Sequence, residues 1–580
     1  MIEFKALRKN LKKDYSNFTK VKVAIVADWA IQMLAQALRG YSYEKQLDIE
    51  IYEATYDQME PELLNPESNL YKFEPDYIVL FPCAEKFHAK YQSESQENRI
   101  NLWQSESERI QNLCLNIKNN SDAKVLLSNY CELFDGIYGN YAATYTESYV
   151  YNQRLLNENI AKLVGDSNYI YLLDILSLQL EYGRKNIFDD KLYYLSKTVF
   201  AIDFLPVIAE NIIKIINILK GSVKKCIVCD LDNTLWGGVI GDDGIEGIEV
   251  GSKGLGQVYS DIQSWVKELS QRGIAVAICS KNNEDTAKEP FNKHKEMILS
   301  LNDISLFIAN WDDKATNIRK IQKILNIGMD SIVFIDDNPF ERNLVKEIIP
   351  EITVPDLPKD PALYLSFLKS LNLFETVKIS DTDKKRTQQY REEASRNEVK
   401  LAASNFDEYL KGLEMKAVSK PFDSFSLPRV AQLSQRSNQF NLRTIRYSEQ
   451  DVQNMIDSDR FITMTVDLKD RFGEYGIICL VILEKVDENT AFLDTLIMSC
   501  RVLKRSVEEY VFNKIVDIAK LSGINTILGE YLPTKKNAMV KNLLEEYDFK
   551  LIENNEGATK WQLEVSEYST KKTFVEENNE

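Results

Sequence analysis

Nowhere in the 580 residues does an apolar run approach the roughly 20 residues of a membrane-spanning helix. The opening residues, Met1-Ile2-Glu3-Phe4-Lys5, lack the charged-then-apolar layout of a secretion signal, so a cytoplasmic protein with no membrane partner is expected. Basic residues are in deficit: 71 Lys and Arg against 88 Asp and Glu leave a net charge of −17. That balance argues against general affinity for nucleic acid, and docking of an acidic partner would need a local basic patch. Eight cysteines in such a length make no disulfide framework, and several lie in strand-like apolar runs, as in a reducing compartment. Cys226 and Cys229 have CxxC spacing but sit within one apolar strand. Residues three apart on a strand face opposite sides, so the pair cannot grip one metal. No internal repeat is present.

An apolar fraction of 44% with 10% aromatics is that of a folded protein, and the length calls for about three domains. In residues 1–221, strand-like runs at 21–27, 77–81, 125–127 and 169–173 alternate with helical stretches. That rhythm predicts an α/β domain with a mainly parallel sheet, closed by a helix at 205–219 that Gly221 ends. Residues 222–377 form a second α/β domain. Strands are expected at 226–231, 274–279, 306–309 and 332–335, and helices at 258–271 and 314–325. Asn338, Pro339 and Glu341 read as a helix start with a capping box. A charged linker, 378–405, read as a solvated helix or linker, leads to an α+β domain at 406–565 and a polar tail, 566–580, expected to be disordered.

Four features of the second domain suit carboxylate-based phosphoryl transfer. Asp230-Leu231-Asp232-Asn233-Thr234 comes directly after a buried strand, where open α/β sheets present ligand-binding side chains. Two carboxylates so close call for a cation, and Mg²⁺ prefers oxygen ligands. One can attack phosphorus while the other moves protons. Ser280 ends another strand and suits a phosphoryl oxygen; Lys314 opens a helix after Trp311-Asp312-Asp313; Asp336-Asp337 succeeds the strand at 332–335.

The run from Cys229 through Asp230-Leu231-Asp232-Asn233-Thr234-Leu235-Trp236 to Gly241 resembles motif I of the haloacid dehalogenase (HAD) superfamily, and within it the FkbH-like branch. The resemblance implies an HAD-like Rossmannoid domain with Asp230 as nucleophile and Asp232 as general acid/base. It further implies Thr234 and Ser280 on the phosphoryl group, Lys314 as its stabiliser, and Mg²⁺ on Asp230, Asp232 and Asp336.

In the third domain, Asp470-Arg471-Phe472-Gly473-Glu474-Tyr475-Gly476 reads as a turn entering a strand, and Ser499-Cys500-Arg501-Val502 comes after another. A thiol beside Arg501 and Arg505 near a helix start is a candidate nucleophile; a buried cysteine at a strand end is the plainer alternative. These segments, with Arg436 to Leu442 and Thr534-Lys535-Lys536-Asn537, resemble the C-terminal part of FkbH-like proteins, which is similar to the acetyltransferase (GNAT) fold. By that resemblance the chain would make a glyceryl thioester on an acyl carrier protein from 1,3-bisphosphoglycerate. Cys500 would carry the acyl group, with Cys226 and Cys229 as rivals, Arg501 would contact substrate, and the carrier's phosphopantetheine thiol would be the acceptor. Val502-Leu503-Lys504-Arg505-Ser506 has no glycine, so acetyl-coenzyme A is not an expected substrate.

The stretch at 23–29 resembles the N-terminal part of long FkbH-like proteins, which is similar to SGNH hydrolases, a flavodoxin-like fold. Ala27-Asp28-Trp29 stands where such a hydrolase carries Gly-Asp-Ser, and neither His88 nor His294 is placed to complete a triad. This domain is expected to be a degenerate hydrolase fold. The alternative for the whole chain is a stand-alone phosphatase for a small phosphorylated metabolite, which should not need Cys500.

Overall fold

Runs of Val, Ile and Leu that are buried on both faces make the central strands of two separate parallel sheets. The computed structural model describes residues 2–379, 386–436, 440–499, 501–534, 537–555 and 557–578. It divides into two units, one of residues 1–224 with 371–380 and one of 225–370 with 381–580.

The first unit holds β1 (Thr19–Ala27), β2 (Leu47–Glu53), β3 (Tyr77–Phe81), β4 (Lys124–Ser128) and β5 (Ile170–Leu173), in the order β2-β1-β3-β4-β5. All pairings are parallel. β3 is buried throughout, whereas the edge strand β2 alternates Leu47, Ile49 and Ile51 with Asp48, Glu50 and Tyr52. Its acidic face hides β2 among the charged residues of the sequence. The helix Leu205–Leu219 is present as expected. Residues 371–379 belong with this unit rather than with the second domain: Val377 packs on its core and Lys378 Nζ donates to Ser167 O at 2.9 Å.

The second unit contains β6 (Cys226–Cys229), β7 (Ala275–Ser280), β8 (Leu306–Ala309) and β9 (Ile332–Ile335), a parallel sheet ordered β8-β7-β6-β9. Helices Leu255–Gln271, Lys314–Leu325 and Pro339–Ile348 cover it. Asn338 caps the last of these by accepting from Phe340 N, but Glu341 turns to Lys281 instead of closing a capping box.

The charged stretch contains the helix Arg386–Ala402. It is more than a solvated linker. Ala394 is buried in the core formed by Ile318, Ile321 and Phe334, and Thr387 Oγ1 donates to Ser270 O at 2.6 Å. Further along, Arg396 makes a two-pronged ion pair with Asp470 (2.6 and 3.0 Å), so the helix ties the parallel sheet to the C-terminal one. A bidentate pair buried at both ends is geometrically set, and removing either partner would leave the other charge buried and unpaired.

The C-terminal sheet has eight strands: β10 (Lys416–Lys420), β11 (Phe461–Asp470), β12 (Gly473–Lys485), β13 (Thr490–Met498), β14 (Thr526–Tyr531), β15 (Lys550–Asn555), β16 (Ala558–Glu564) and β17 (Glu576–Glu577). Their order is β15-β16-β14-β13-β12-β11-β10-β17. Pairing is antiparallel except between β13 and β14 and between β10 and β17. The helix Val507–Leu521 packs on its core. Contrary to the expectation of disorder, the described residues of the tail are ordered. β17 pairs with β10, Val575 is buried, and Phe574 N donates to Ser506 Oγ at 2.9 Å. Thr573-Phe574-Val575 dock together with polar contacts from Tyr568, Lys571 and Glu577.

Candidate active site

β6 carries its pairing with β9 one residue beyond the strand, through Asp230 N to Ile335 O at 3.0 Å, so Asp230 emerges at the carboxyl edge of the sheet. The chain then turns sharply. Asn233 adopts φ 54°, a left-handed conformation that Asn tolerates, and its Oδ1 accepts from Gly238 N at 3.0 Å. That turn brings Asp232 and Thr234 back toward the strand ends.

Lys314, the first residue of its helix, is 3% exposed and reaches both Asp230 Oδ2 (2.8 Å) and Asp336 Oδ2 (2.5 Å). Burial alone would strip its proton, but the two carboxylates outweigh that and hold its pKa well above the usual lysine value. Asp336 is fully buried, and desolvation, reinforced by the charge of Asp230, raises its carboxyl above the ordinary value against the pull of Lys314. The Asp337 carboxyl is raised for the same reasons. Asp336 Oδ1 accepts from Asn338 N at 2.8 Å, and Arg342 Nη1 donates to the carbonyls of Asp336 and Asp337, both at 2.7 Å. Thr234 Oγ1 accepts from Asp337 N at 3.1 Å, joining the loops after β6 and β9.

Asp230, Asp336 and Asp337 offer oxygens within 4.8 Å of one another. Three carboxylates against the single ammonium of Lys314 leave two negative charges, the complement of a divalent cation. Asp230 Oδ1 is buried with no hydrogen-bond partner, an orphaned acceptor that a cation would satisfy. The donor set is all oxygen, which suits a hard ion. The residues present therefore fit a divalent metal.

Asp232 does not join that carboxylate cluster, contrary to the expectation for its side chain. Its Oδ1 accepts from Trp236 Nε1 (2.9 Å) and Ile240 N (3.0 Å), and its Oδ2 from Asn282 Nδ2 (2.8 Å). Asp337 takes the third place instead. Burial still dominates at Asp232 and raises its carboxyl, a direction that suits proton transfer. Ser280 is buried at the end of β7, next to β6 in the sheet. Sequence reasoning misses Asn282, Trp236 and Arg342. Asn282 lies only two residues beyond Ser280 on a strand-end loop, which is the available signal.

The cysteines divide plainly. Cys226 and Cys229 are inaccessible, and burial lifts both thiols far above their ordinary range, so neither is a usable nucleophile. Cys500 lies outside the described residues, as do 437–439 and 535–536 of the neighbouring motifs. Among the described residues, β13 and β14 pair over Thr490–Leu493 and Thr526–Gly529. Beyond that, the chain at 440–442 enters between them: Met498 N donates to Phe440 O (3.3 Å) and Leu532 N to Leu442 O (2.9 Å). Asn537 Nδ2 holds Asn441 O at 3.0 Å. The cations expected to activate the thiol are already engaged. Arg505 pairs with Glu393 (2.8 Å) and Tyr475 OH (2.5 Å), while Arg501 Nη2 donates to Tyr475 O at 3.2 Å. Tyr475 OH in turn donates to Asp470 Oδ2 at 2.9 Å, so Arg501 rests on the cluster that anchors the connecting helix.

Residues 22–217 match the family model described as the FkbH N-terminal domain. A crystal structure of the N-terminal part of the protein BF1531 from Bacteroides fragilis, containing a phosphatase domain complexed with Mg, is 42% identical to this chain. The match covers 65% of this chain and 100% of that one, with a TM-score of 0.61. The chain belongs to the FkbH-like family. This FkbH-like chain also has a weaker likeness, at 15% identity and a TM-score of 0.21, to the ribosomal-protein-S18-alanine N-acetyltransferase from Escherichia coli. That one covers 26% of this chain and 94% of the other. No curated protein matches it. Among its described residues, no helix is long and apolar enough to cross a membrane.

Proposed function

We propose that this FkbH-like chain is a Mg²⁺-dependent phosphatase/phosphotransferase working through an aspartyl-phosphate on Asp230. The observation that carries the reading is Asp230 itself, paired with Lys314 through one oxygen and left without a partner at the other. The Mg complex of the Bacteroides fragilis phosphatase domain supports the choice of ion. Mg²⁺ on Asp230, Asp336 and Asp337 would supply positive charge where the phosphoryl group gathers negative charge. Lys314 neutralises Asp230 and the incoming phosphate together. Asp230 attacks phosphorus; Asp232, kept in place by Trp236, Asn282 and Ile240 N–H, gives its proton to the leaving oxygen. Asp232 then takes a proton from the water that hydrolyses the aspartyl-phosphate. Thr234 and Ser280 are assigned to the phosphoryl oxygens.

The finer reading rests on family membership. A thiolate at Cys500 attacks the acyl phosphate of 1,3-bisphosphoglycerate, forming a C–S bond as the C–O bond breaks and phosphate leaves. The Asp230 site strips the second phosphate, and a carrier protein's phosphopantetheine thiol accepts the glyceryl group by thioester exchange. One observation favours the simpler alternative, a stand-alone phosphatase: among the described residues, the polar partners of Asp230, Asp232 and Asp336 lie between residues 230 and 342.

Intact-protein mass spectrometry separates the two. Wild type, Asp230→Asn and Cys500→Ser are exposed to freshly generated 1,3-bisphosphoglycerate and Mg²⁺. A glyceryl adduct on wild type, a phosphoglyceryl adduct on Asp230→Asn and none on Cys500→Ser are expected. Phosphate release with no adduct on any variant would leave the plain phosphatase.

A further inference from the structure

The segments that leave the carboxyl ends of β6, β7 and β9 surround Asp230, and side chains tie each to the other two. Thr234 Oγ1 accepts from Asp337 N (3.1 Å), joining the segments after β6 and β9. Asn282 Nδ2 donates to Asp232 Oδ2 (2.8 Å), joining those after β7 and β6. The third tie is the ion pair of Lys281 Nζ with Glu341 Oε1 at 2.6 Å. Strands β7 and β9 are not neighbours, since β6 lies between them. The pair therefore spans the strand that leads into Asp230, about 10 Å from one flanking strand to the other.

Glu341 reaches Lys281 at a local cost. It stands three residues beyond the cap Asn338, where a glutamate ordinarily accepts from the N–H of the cap residue. That N–H goes to Asp336 Oδ1 instead, at 2.8 Å. Glu341 turns away and is 6% exposed, with Oε2 buried and, among the described residues, without a hydrogen-bond partner. A buried carboxylate with one ion pair and one empty oxygen stabilises poorly, because desolvation offsets the single contact. Its position in the chain suits another task. Lys281 immediately precedes Asn282, the residue that holds Asp232, and Glu341 lies in the first turn of the helix after Asp336-Asp337.

We propose that Lys281 and Glu341 are positioning residues of the Asp230 centre. Their ion pair fixes the segment after β7 against the helix after β9, so that Asn282 presents Asp232 to the reacting phosphate. Both act through Asn282 and not on the substrate. The inference rests on the phosphatase reading of that centre.

Steady-state phosphate release by the full-length chain, with p-nitrophenyl phosphate and Mg²⁺, tests this. Lys281→Met and Glu341→Met should each lower kcat by about tenfold to a hundredfold, with KM changed by less than about threefold. Lys281→Arg, which can still pair with Glu341, should stay within about threefold of wild type. Adding Lys281→Met to Asn282→Ala should cost less than about threefold more, because both act through Asp232. Glu341→Met leaves only a partly exposed lysine unpaired, so a loss shared by both variants is not lost folding. Unchanged kcat in both, no rescue by Lys281→Arg, or losses that multiply with Asn282→Ala overturn the proposal. So does a rise in KM at constant kcat, which would make Lys281 a substrate contact. Asp230→Asn separates the two readings. Release that survives in it overturns the phosphatase reading and this inference with it; release lost there but intact in Lys281→Met and Glu341→Met overturns this inference alone.

Discussion

Asp28 and Asp230 occupy equivalent places in two parallel sheets, each directly after a buried strand at the sheet's carboxyl edge, and the structure treats them in opposite ways. Asp230 is met by Lys314, while Asp336 and Asp337 lie close enough to share a cation with it. Asp28 receives Cys83 and, among the described residues, forms no ion pair, and burial pushes its carboxyl up to about 6. One backbone device thus yields a charged, compensated centre in one unit and an uncompensated carboxyl in the other. The difference lies in the segments after the neighbouring strands. In one sheet these are the Lys314 helix and Asp336-Asp337; in the other it is the helix Ala84–Ser93, whose Lys86 and Lys90 point to other acids.

The sharpest break in this comparison is Asp230→Asn, which should lower phosphate release by about 10⁴-fold or more, since a nucleophile has no substitute. Steady-state phosphate release measures it, and Asp28→Asn should leave the same assay unchanged. Next in size, Lys314→Ala should destabilise the second unit by about 3–5 kcal/mol in metal-free buffer, because two buried carboxylates lose their counter-charge. Hydrogen exchange in β6 and β9 would report it, with β1 and β3 unaffected.

Mg²⁺ should act on one side of the comparison alone. Chelation should abolish phosphate release, and saturating Mg²⁺ should protect β6, β7 and β9 by about 2–3 kcal/mol at a hundredfold excess over its dissociation constant, without protecting β1–β5. The smallest expected effect is on the pH dependence of the first unit. The folded-state pKa of Asp28 lies above the unfolded value of 3.8. Well below pH 3.8 both states are protonated and the group costs nothing; as pH rises toward 6 the unfolded chain ionises first, and stability falls. Asp28→Asn should therefore raise stability by about 2–3 kcal/mol at pH 8, an effect that fades as the pH is taken down through 4, as read by urea titration.

Much of the second domain is legible from the chain. Strands 306–309 and 332–335 and the helix at 314–325 lie where periodicity places them, because continuous apolar runs and strong caps leave few alternatives. Asp230, Lys314 and Asp336, spread over about a hundred residues of sequence, meet in one ion-paired cluster. The third member of the carboxylate cluster is not legible. Asp232 and Asp337 are both acids next to a strand end, and only the left-handed turn at Asn233, with donors from Trp236, Ile240 and Asn282, sends Asp232 elsewhere. The edge strand β2 and the ordered tail escape sequence reading for a related reason, since half-exposed segments carry weak apolar patterns.

By itself the sequence determined the central strands of the two parallel sheets, where their carboxyl edges lie, and that acids come after those strands, because burial periodicity and strand-end chemistry are local properties. Tertiary structure alone decided which acids share a cation, which cation is already paired, and that the charged stretch at 386–402 docks on two sheets instead of standing in solvent. Those outcomes depend on distances of a few ångströms between residues remote in the chain, and on burial that turns the same carboxyl into a paired charge at Asp230 and an unpaired one at Asp28.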